Sequence, residues 1–407
     1  MICPLYQQKR DSSHFVFAIA VFWYFFCLKS CHSFVLPLKP VILRGNRIQN
    51  STNDKKKNEH HLDSINSGSC LFYRRTDDVS FTKIEEENIM EELPKAPFPD
   101  GPCGGSIVTL DIPMDHKKVS SLFTNDFFFP SRSIQVWLPP EYHYHTNMRF
   151  PVLYCHDGQN VMQDSMSWTG SSWRLMGAIT RLVERKLIET PPIVVMIPST
   201  DGDLLFLRRR HLEYGDMGQQ LSQVHADHVA LSIKPAVDKQ FRTHSSAKHT
   251  FAMGTSLGGQ ASLHLLLRHG NLFGGAACLS PAFTAGTLAS VVATTPSLNE
   301  KKLYMDNGGD DGDRKVPFFD VWDHVTQNHW WNPGYWWLDT QLQPGIDAMR
   351  MALDLKKLPY HYKKFPGARH NERAWAQRIH EPLLYLYGPD KNKDTIHNLL
   401  HNNNNNK

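Results

Sequence analysis

Two kinds of hydrophobic pattern organise the chain from Gly101 onward. Pro151–Cys155 and Ile193–Ile197 are apolar at every position, which predicts strands covered on both faces by helices. Ser106–Leu110 and Ser133–Trp137 instead alternate, as half-buried antiparallel strands do. Helical spacing follows over Leu175–Val183, Val229–Phe241, the stretch after Ser256, Ile346–Leu358 and Ala374–Tyr387. Further strands fit Thr250–Met253, Ala276–Leu279, Lys302–Met305 and Tyr360–Phe365. Antiparallel leading strands that give way to alternating strands and helices predict an α/β fold, with a mostly parallel central sheet flanked by helices on both faces.

The first hundred residues differ in kind. Lys9 and Arg10 precede an unbroken apolar run from Phe15 to Leu28, short for a bilayer span and of the length of a signal-peptide core. Small and polar residues at Ser30–Ser33 suit cleavage near Ser33–Phe34, with a single uncleaved N-terminal anchor as the alternative. Phe34-Val35-Leu36-Pro37 and a basic stretch through Lys55-Lys56-Lys57 come next, an order that resembles the two-part presequences of algae with secondary plastids. Entry into the secretory pathway is therefore expected, with a plastid as a possible destination and no stable membrane insertion after cleavage. From about Asn50 to Pro99 no apolar periodicity is present, and Asn402–Asn406 is a polar run. The expected organisation is a targeting segment and linker over 1–100, one catalytic domain over 101–390 and an Asn-rich tail over 391–407.

Composition narrows the classes. The 407 residues are 41% hydrophobic and 21% charged, enough for a full-sized core. A net charge of +4 with dispersed basic residues gives no nucleic-acid footprint. The cysteines show no metal spacing; Cys155 and Cys278 fall inside apolar strands and read as small core residues, whereas Cys70 and Cys103 look loop-borne.

Chemistry enters at Gly254-Thr255-Ser256-Leu257-Gly258, between an apolar strand and a helical pattern. A G-x-S-x-G placed so predicts a nucleophile elbow, in which a sharp turn holds the serine out at the carboxyl edge of a sheet. Such a site needs an oxyanion hole made by the N–H after the nucleophile and an N–H from an earlier strand–helix loop. Leu257 supplies the first; His156-Asp157-Gly158-Gln159-Asn160, after the strand ending at Cys155, supplies the second, most directly through Gln159. The acid and base must follow the serine in the chain. His370 lies past the strand Tyr360–Phe365 and a Pro-Gly turn, where a loop can bring it over the sheet edge. Candidate acids cluster in Asp306–Asp313, a segment that also reads as a solvated turn and lacks the spacing of an EF-hand. Between Asp313 and Gly345 lie Phe318, Phe319, Trp322, Trp330, Trp331, Tyr335, Trp336 and Trp337, either a pocket wall or the packing of an insertion.

Several of these segments together resemble the putative esterase family of α/β hydrolases, which includes enterobactin esterases, feruloyl esterases and mycolyltransferases. They are Ser131–Tyr142, Leu153–Asn160, Lys234–Thr243, the elbow with its extra Gly259, and His370-Asn371-Glu372-x-x-Trp375, within a match over about residues 104–388. The resemblance implies an α/β-hydrolase fold and a serine carboxylic ester hydrolase acting on a small-molecule ester, with no cofactor and no metal. It implies Ser256 as nucleophile, His370 as base, the N–H groups of Gln159 and Leu257 as oxyanion donors, and an acid in Gly308-Gly309-Asp310-Asp311. Asp311 is the first expectation, with Asp310 and Asp306 as alternatives. Arg208–Arg210 with Glu213 and Tyr214 resembles the family's arginine-rich loop near the pocket. The candidate substrate contacts are Arg210 from that loop, Asp157 from the His156–Asn160 segment, and Trp336 and Trp337 from the aromatic-rich stretch. Rival readings are an acyltransferase using the same triad with a carbohydrate or lipid alcohol, and a non-catalytic binding protein on the same fold.

Overall fold

The computed structural model describes residues 93–115, 117, 119, 132–200, 203–204, 207–293, 300–320 and 336–389. The chain divides into two compact units, Met1–Tyr73 and Arg74–Lys407, and every described residue belongs to the second. The N-terminal apolar run, the basic stretch after it and the Asn-rich tail lie outside the described residues. No described helix is long and apolar enough to cross a membrane.

Eight strands form the main sheet: β1 Ser106–Ile112, β2 Arg132–Leu138, β3 Val152–His156, β4 Ile193–Ile197, β5 Thr250–Thr255, β6 Gly275–Leu279, β7 Lys302–Asn307 and β8 His361–Lys364. Their order is β1-β2-β4-β3-β5-β6-β7-β8. β1 pairs antiparallel with β2 and β2 antiparallel with β4; every later pairing is parallel. This is the mostly parallel sheet with antiparallel leading strands that the alternating and continuous apolar runs predict, in the α/β-hydrolase arrangement that the resemblance implies.

Helices cover both faces. They are α1 Leu175–Glu184, α2 Gln220–His228, α3 Lys234–Gln240, α4 Leu257–Arg268, α5 Ala285–Ala293, α6 Leu338–Leu355, α7 Glu372–Arg378 and α8 His380–Tyr387. Because successive strand residues point to opposite faces, one sheet feeds two cores. Val152, Tyr154, Ile193, Val195, Ala252 and Met305 pack with Val229, Ile233, Leu263, Ile346 and Met349 of the helical layer on one side. Leu153, Val194, Met196, Phe251, Met253 and Tyr304 pack with Leu175, Ile179, Leu182 and Leu383 on the other. Cys155 and Cys278 are fully buried, one in each core, as small apolar residues. Phe98, before the expected domain start, is 2% exposed and belongs to the second core.

Two departures from the sequence pattern position the site. α6 begins at Leu338 rather than Ile346, because the apolar spacing Leu338, Leu342, Ile346, Met349, Leu353 runs unbroken through Pro344 and Gly345. The expected helix over Val229–Phe241 is preceded by α2 and joined to α3 by a π-helical stretch, Val229–Ile233.

Candidate active site

β3 and β5 are neighbours at the point where the strand order reverses, with Cys155 opposite Met253. Their carboxyl ends therefore open side by side into the crevice where open α/β sheets bind ligands. Ser256 leaves β5 with φ 55° and ψ −125°, a conformation that a side chain rarely adopts, and α4 starts at the next residue. A Cβ on Gly254 would lie 2.3 Å from the Gly258 carbonyl oxygen, and one on Gly258 would lie 2.9 Å from Oδ2 of Asp157. The two glycines are thus fixed by contact, and Ser256 is half-buried, as is Leu257, between the buried Thr255 and Gly258. As the first residue of α4, Leu257 has no intrahelical acceptor for its N–H.

On the adjacent strand, Asp157 takes a left-handed conformation, φ 54°, and starts the turn Gly158–Asn160. Gly158 belongs to the tight approach, since a Cβ there would meet the Met196 backbone at 2.5 Å. The Gln159 side chain is paired with Ser199, donating from Nε2 at 2.9 Å and accepting the Ser199 N–H at 3.1 Å, which pins the turn to the loop after β4. Asp157 is 1% exposed and receives a two-pronged hydrogen bond from Arg210, Nε to Oδ1 and an Nη to Oδ2, each 2.8 Å. The candidate substrate contacts Asp157 and Arg210 are therefore brought together, bonded to each other.

His370 is 3% exposed, and its Nδ1 lies 2.6 Å from Oδ1 of Asp339. The acid on the histidine is thus Asp339, on the first turn of α6, and none of the three aspartates expected from the sequence. Asp311 has an exposed side chain and closes a small turn by exchanging backbone hydrogen bonds with Arg314. Asp310 accepts the Val316 N–H at 2.8 Å and faces Lys315. Asp306 is fully buried but pairs with Arg378, at 3.2 Å. The acid-rich segment after β7 is mainly the solvated turn its composition also allowed, and α6 brings the carboxylate in from beyond it.

Asp339 is well anchored. Its Oδ2 accepts the Gly308 N–H at 3.0 Å and the Ser280 hydroxyl at 3.0 Å. Ser280, itself at φ 41°, also receives hydrogen bonds from Nε1 of Trp375 and from Arg378. It follows Leu279, whose carbonyl accepts the Ser256 N–H at 2.9 Å, so the anchor of the acid and the elbow share one loop. Burial pushes the Asp339 carboxyl up, but His370, the hydrogen bond between them, Arg378 and Ser280 together bring it below its ordinary range. An ionised carboxylate only accepts, so Nδ1 of His370 is the donor to Asp339. For Asp306, burial outweighs the pull of Arg378 and holds its carboxyl above the usual range.

Glu372 ties the histidine loop to the Gln159 turn. It is buried, and accepts hydrogen bonds from Nδ2 of Asn160, Nε1 of Trp168 and the Thr169 hydroxyl. Of the candidate aromatic contacts, Trp336 packs edge-on against Phe318 at 5.6 Å, and Trp337 is 38% exposed beside it. Trp322, Trp330, Trp331 and Tyr335 lie outside the described residues. Asp339 and Ser280 went unread in the sequence; the signal for Asp339 was the apolar spacing that continues back through Pro344 to Leu338.

A sequence model of the family described as "Putative esterase" matches residues 130–386. The uncharacterized protein YbbA of Bacillus subtilis (strain 168) is 21% identical over 267 residues, covering 65% of this chain and 96% of that protein. Among solved structures, a ferulic acid esterase is similar with a TM-score of 0.49 and 16% identity, over 70% of this chain and 98% of that one. The enterobactin esterase of Shigella flexneri is similar with a TM-score of 0.48 and 15% identity, over 69% of this chain and 59% of that one.

Proposed function

Because the chain belongs to the Putative esterase family, and is thereby a carboxylic ester hydrolase, we propose that it cleaves a small-molecule ester through an acyl-enzyme on Ser256. The observation that carries this reading is the strained Ser256 on the sheet edge that also bears the buried His370–Asp339 pair. In the proposed cycle Nε2 of His370 takes the Ser256 proton as Oγ attacks the ester carbonyl. The oxyanion is received by the N–H groups of Leu257 and Gln159, which form early in a helix and a turn with no use for them inside those elements. Collapse of the intermediate expels the alcohol, protonated by His370. Water, giving its proton to the same nitrogen, then attacks the acyl-enzyme, and His370 returns that proton to Oγ of Ser256 as the acid leaves. Asp339 orients the imidazole and balances its transient charge.

The test is a panel of short-chain, long-chain and feruloyl esters assayed with the wild type and Ser256→Ala. Turnover of at least one ester that Ser256→Ala lowers by about 10⁴-fold or more is expected for loss of a triad member. Full activity in the alanine variant would sink the assignment. The same assay with added carbohydrate or lipid alcohols separates hydrolysis from acyl transfer, since a transferase would make new esters in place of free acid.

A further inference from the structure

Asp157 is a buried carboxylate set against the two groups that the proposed cycle asks to receive an oxyanion. It lies two residues before Gln159 in the same turn, and its Oδ2 is the atom that a Cβ on Gly258 would meet at 2.9 Å, so it packs on the first turn of α4 next to Leu257. A helix N-terminus attracts any anion, and an uncompensated carboxylate there would compete with the oxyanion for the same positive field. Arg210 meets this charge with two parallel hydrogen bonds of 2.8 Å, the geometry in which a guanidinium fixes a carboxylate's plane as well as its charge. Arg210 is itself held from behind, its guanidinium 5.4 Å from the centre of the buried Tyr214 ring, whose hydroxyl accepts the Asp157 N–H at 3.3 Å. Asp157 is also left-handed, φ 54°, so its carboxylate leaves the turn in a direction set by that backbone and is met there by Arg210.

We propose that Arg210 is a positioning residue of the acyl-transfer step: by orienting and neutralising Asp157 it keeps the Gln159 turn in place and leaves the N-terminal field of α4 to the oxyanion. This rests on Ser256 being the nucleophile. A direct contact of Arg210 with substrate would act on binding, and a purely structural role would act on stability; the proposed role acts on the chemical step.

The experiment measures kcat and KM separately for the wild type, Arg210→Met, Arg210→Lys, Asp157→Asn and the double variant Asp157→Asn/Arg210→Met. Thermal unfolding and the affinity of a trifluoromethyl ketone that mimics the tetrahedral adduct are read alongside. The expected result is a fall in kcat of roughly 10²-fold or more in Arg210→Met, comparable with the loss of an oxyanion-hole donor. KM should stay within about threefold, and the ketone should weaken in step with kcat/KM. Arg210→Lys, which keeps the charge and loses the fork, should fall between the two. The double variant should recover kcat at least about tenfold over Arg210→Met, because the anion that lacked a partner is gone. Unchanged kcat with a raised KM, or a double variant no faster than Arg210→Met, overturns the proposal; if Arg210→Met does not fold, wild-type kcat in Arg210→Lys does so. Ser256→Ala assayed in parallel separates the two failures: retained turnover there defeats the nucleophile assignment, whereas abolished turnover with an indifferent Arg210 defeats only the positioning role.

Discussion

Asp339 and Asp311 carry the same carboxyl group, and their surroundings give them opposite consequences. Asp339 is 1% exposed and accepts from His370, Ser280 and the Gly308 N–H. Asp311 faces solvent in a turn of its own. Asp339→Asn is therefore expected to lower kcat by about 10⁴-fold, because an amide can donate to Nδ1 and hold the imidazole in the wrong tautomer. Asp311→Asn is expected to leave steady-state kinetics within about twofold. Equal effects of the two would show that the carboxylate on His370 is not the working acid. Ser256 allows a second comparison at this scale. Its positive φ is a strain that glycine does not feel, so Ser256→Gly should be more stable than Ser256→Ala by about 1 kcal/mol in urea titrations while both are inactive. A less stable glycine variant would mean that the elbow carries no backbone strain.

Among the elements, the passage from β5 to α4 is the one whose geometry tolerates least. The Gly254 site has backbone atoms of Gly258 at 2.3 and 2.4 Å from where a Cβ would stand, so neither side can yield without moving the nucleophile. Gly254→Ala should cost about 1–3 kcal/mol in chemical denaturation, as overpacked sites do, and lose most of its esterase activity; normal values of both would refute the contact. That intolerance is also why this part of the site was legible. The sequence of an elbow must place small residues around the serine, and the turn after β3 must place a glycine where Gly158 abuts Met196. The parallel strands were legible for a related reason, since burial on both faces leaves no polar position in Val152–Cys155 or Ile193–Ile197. α6 was not. Proline and glycine normally end a helix, and Pro344-Gly345 lies between the buried residues Ile346, Met349 and Leu353 and the turn that carries Asp339. Packing of Leu342 on the core with Ile346 and Met349 overrode that local signal, and an acid that belongs to a helix start was concealed in what read as an insertion. Ser280 was hidden differently: its importance lies in three partners, Asp339, Trp375 and Arg378, that are distant in the chain.

Across the whole molecule, the layer beneath the candidate site holds many buried histidines. Burial lowers His156 to about 4 and His228 and His264 to about 3, and it lowers His225 well below its usual value, with neighbouring cations and histidines adding to these shifts. The unfolded chain binds these protons near pH 6.5, whereas the folded protein refuses them until far lower pH. The stability they confer is complete above about pH 6.5 and declines as the pH falls towards 4, by up to about 1.4 kcal/mol per pH unit for each group. The urea midpoint should accordingly drop steeply between pH 6.5 and 4.5, and a flat midpoint over that range would contradict the burial of neutral imidazoles. Finally, the segment between Asp310 and Leu338 departs from and returns to a single place. The Gly308 N–H is bonded to Asp339, the Asp310 N–H to Thr340, and the Gly309 N–H to Ala368. With these described ends fastened together, a change of sequence length between them would leave the acid at their base in place. The molecule thus has a graft point, at which new sequence can be tried while the chemistry stays in register.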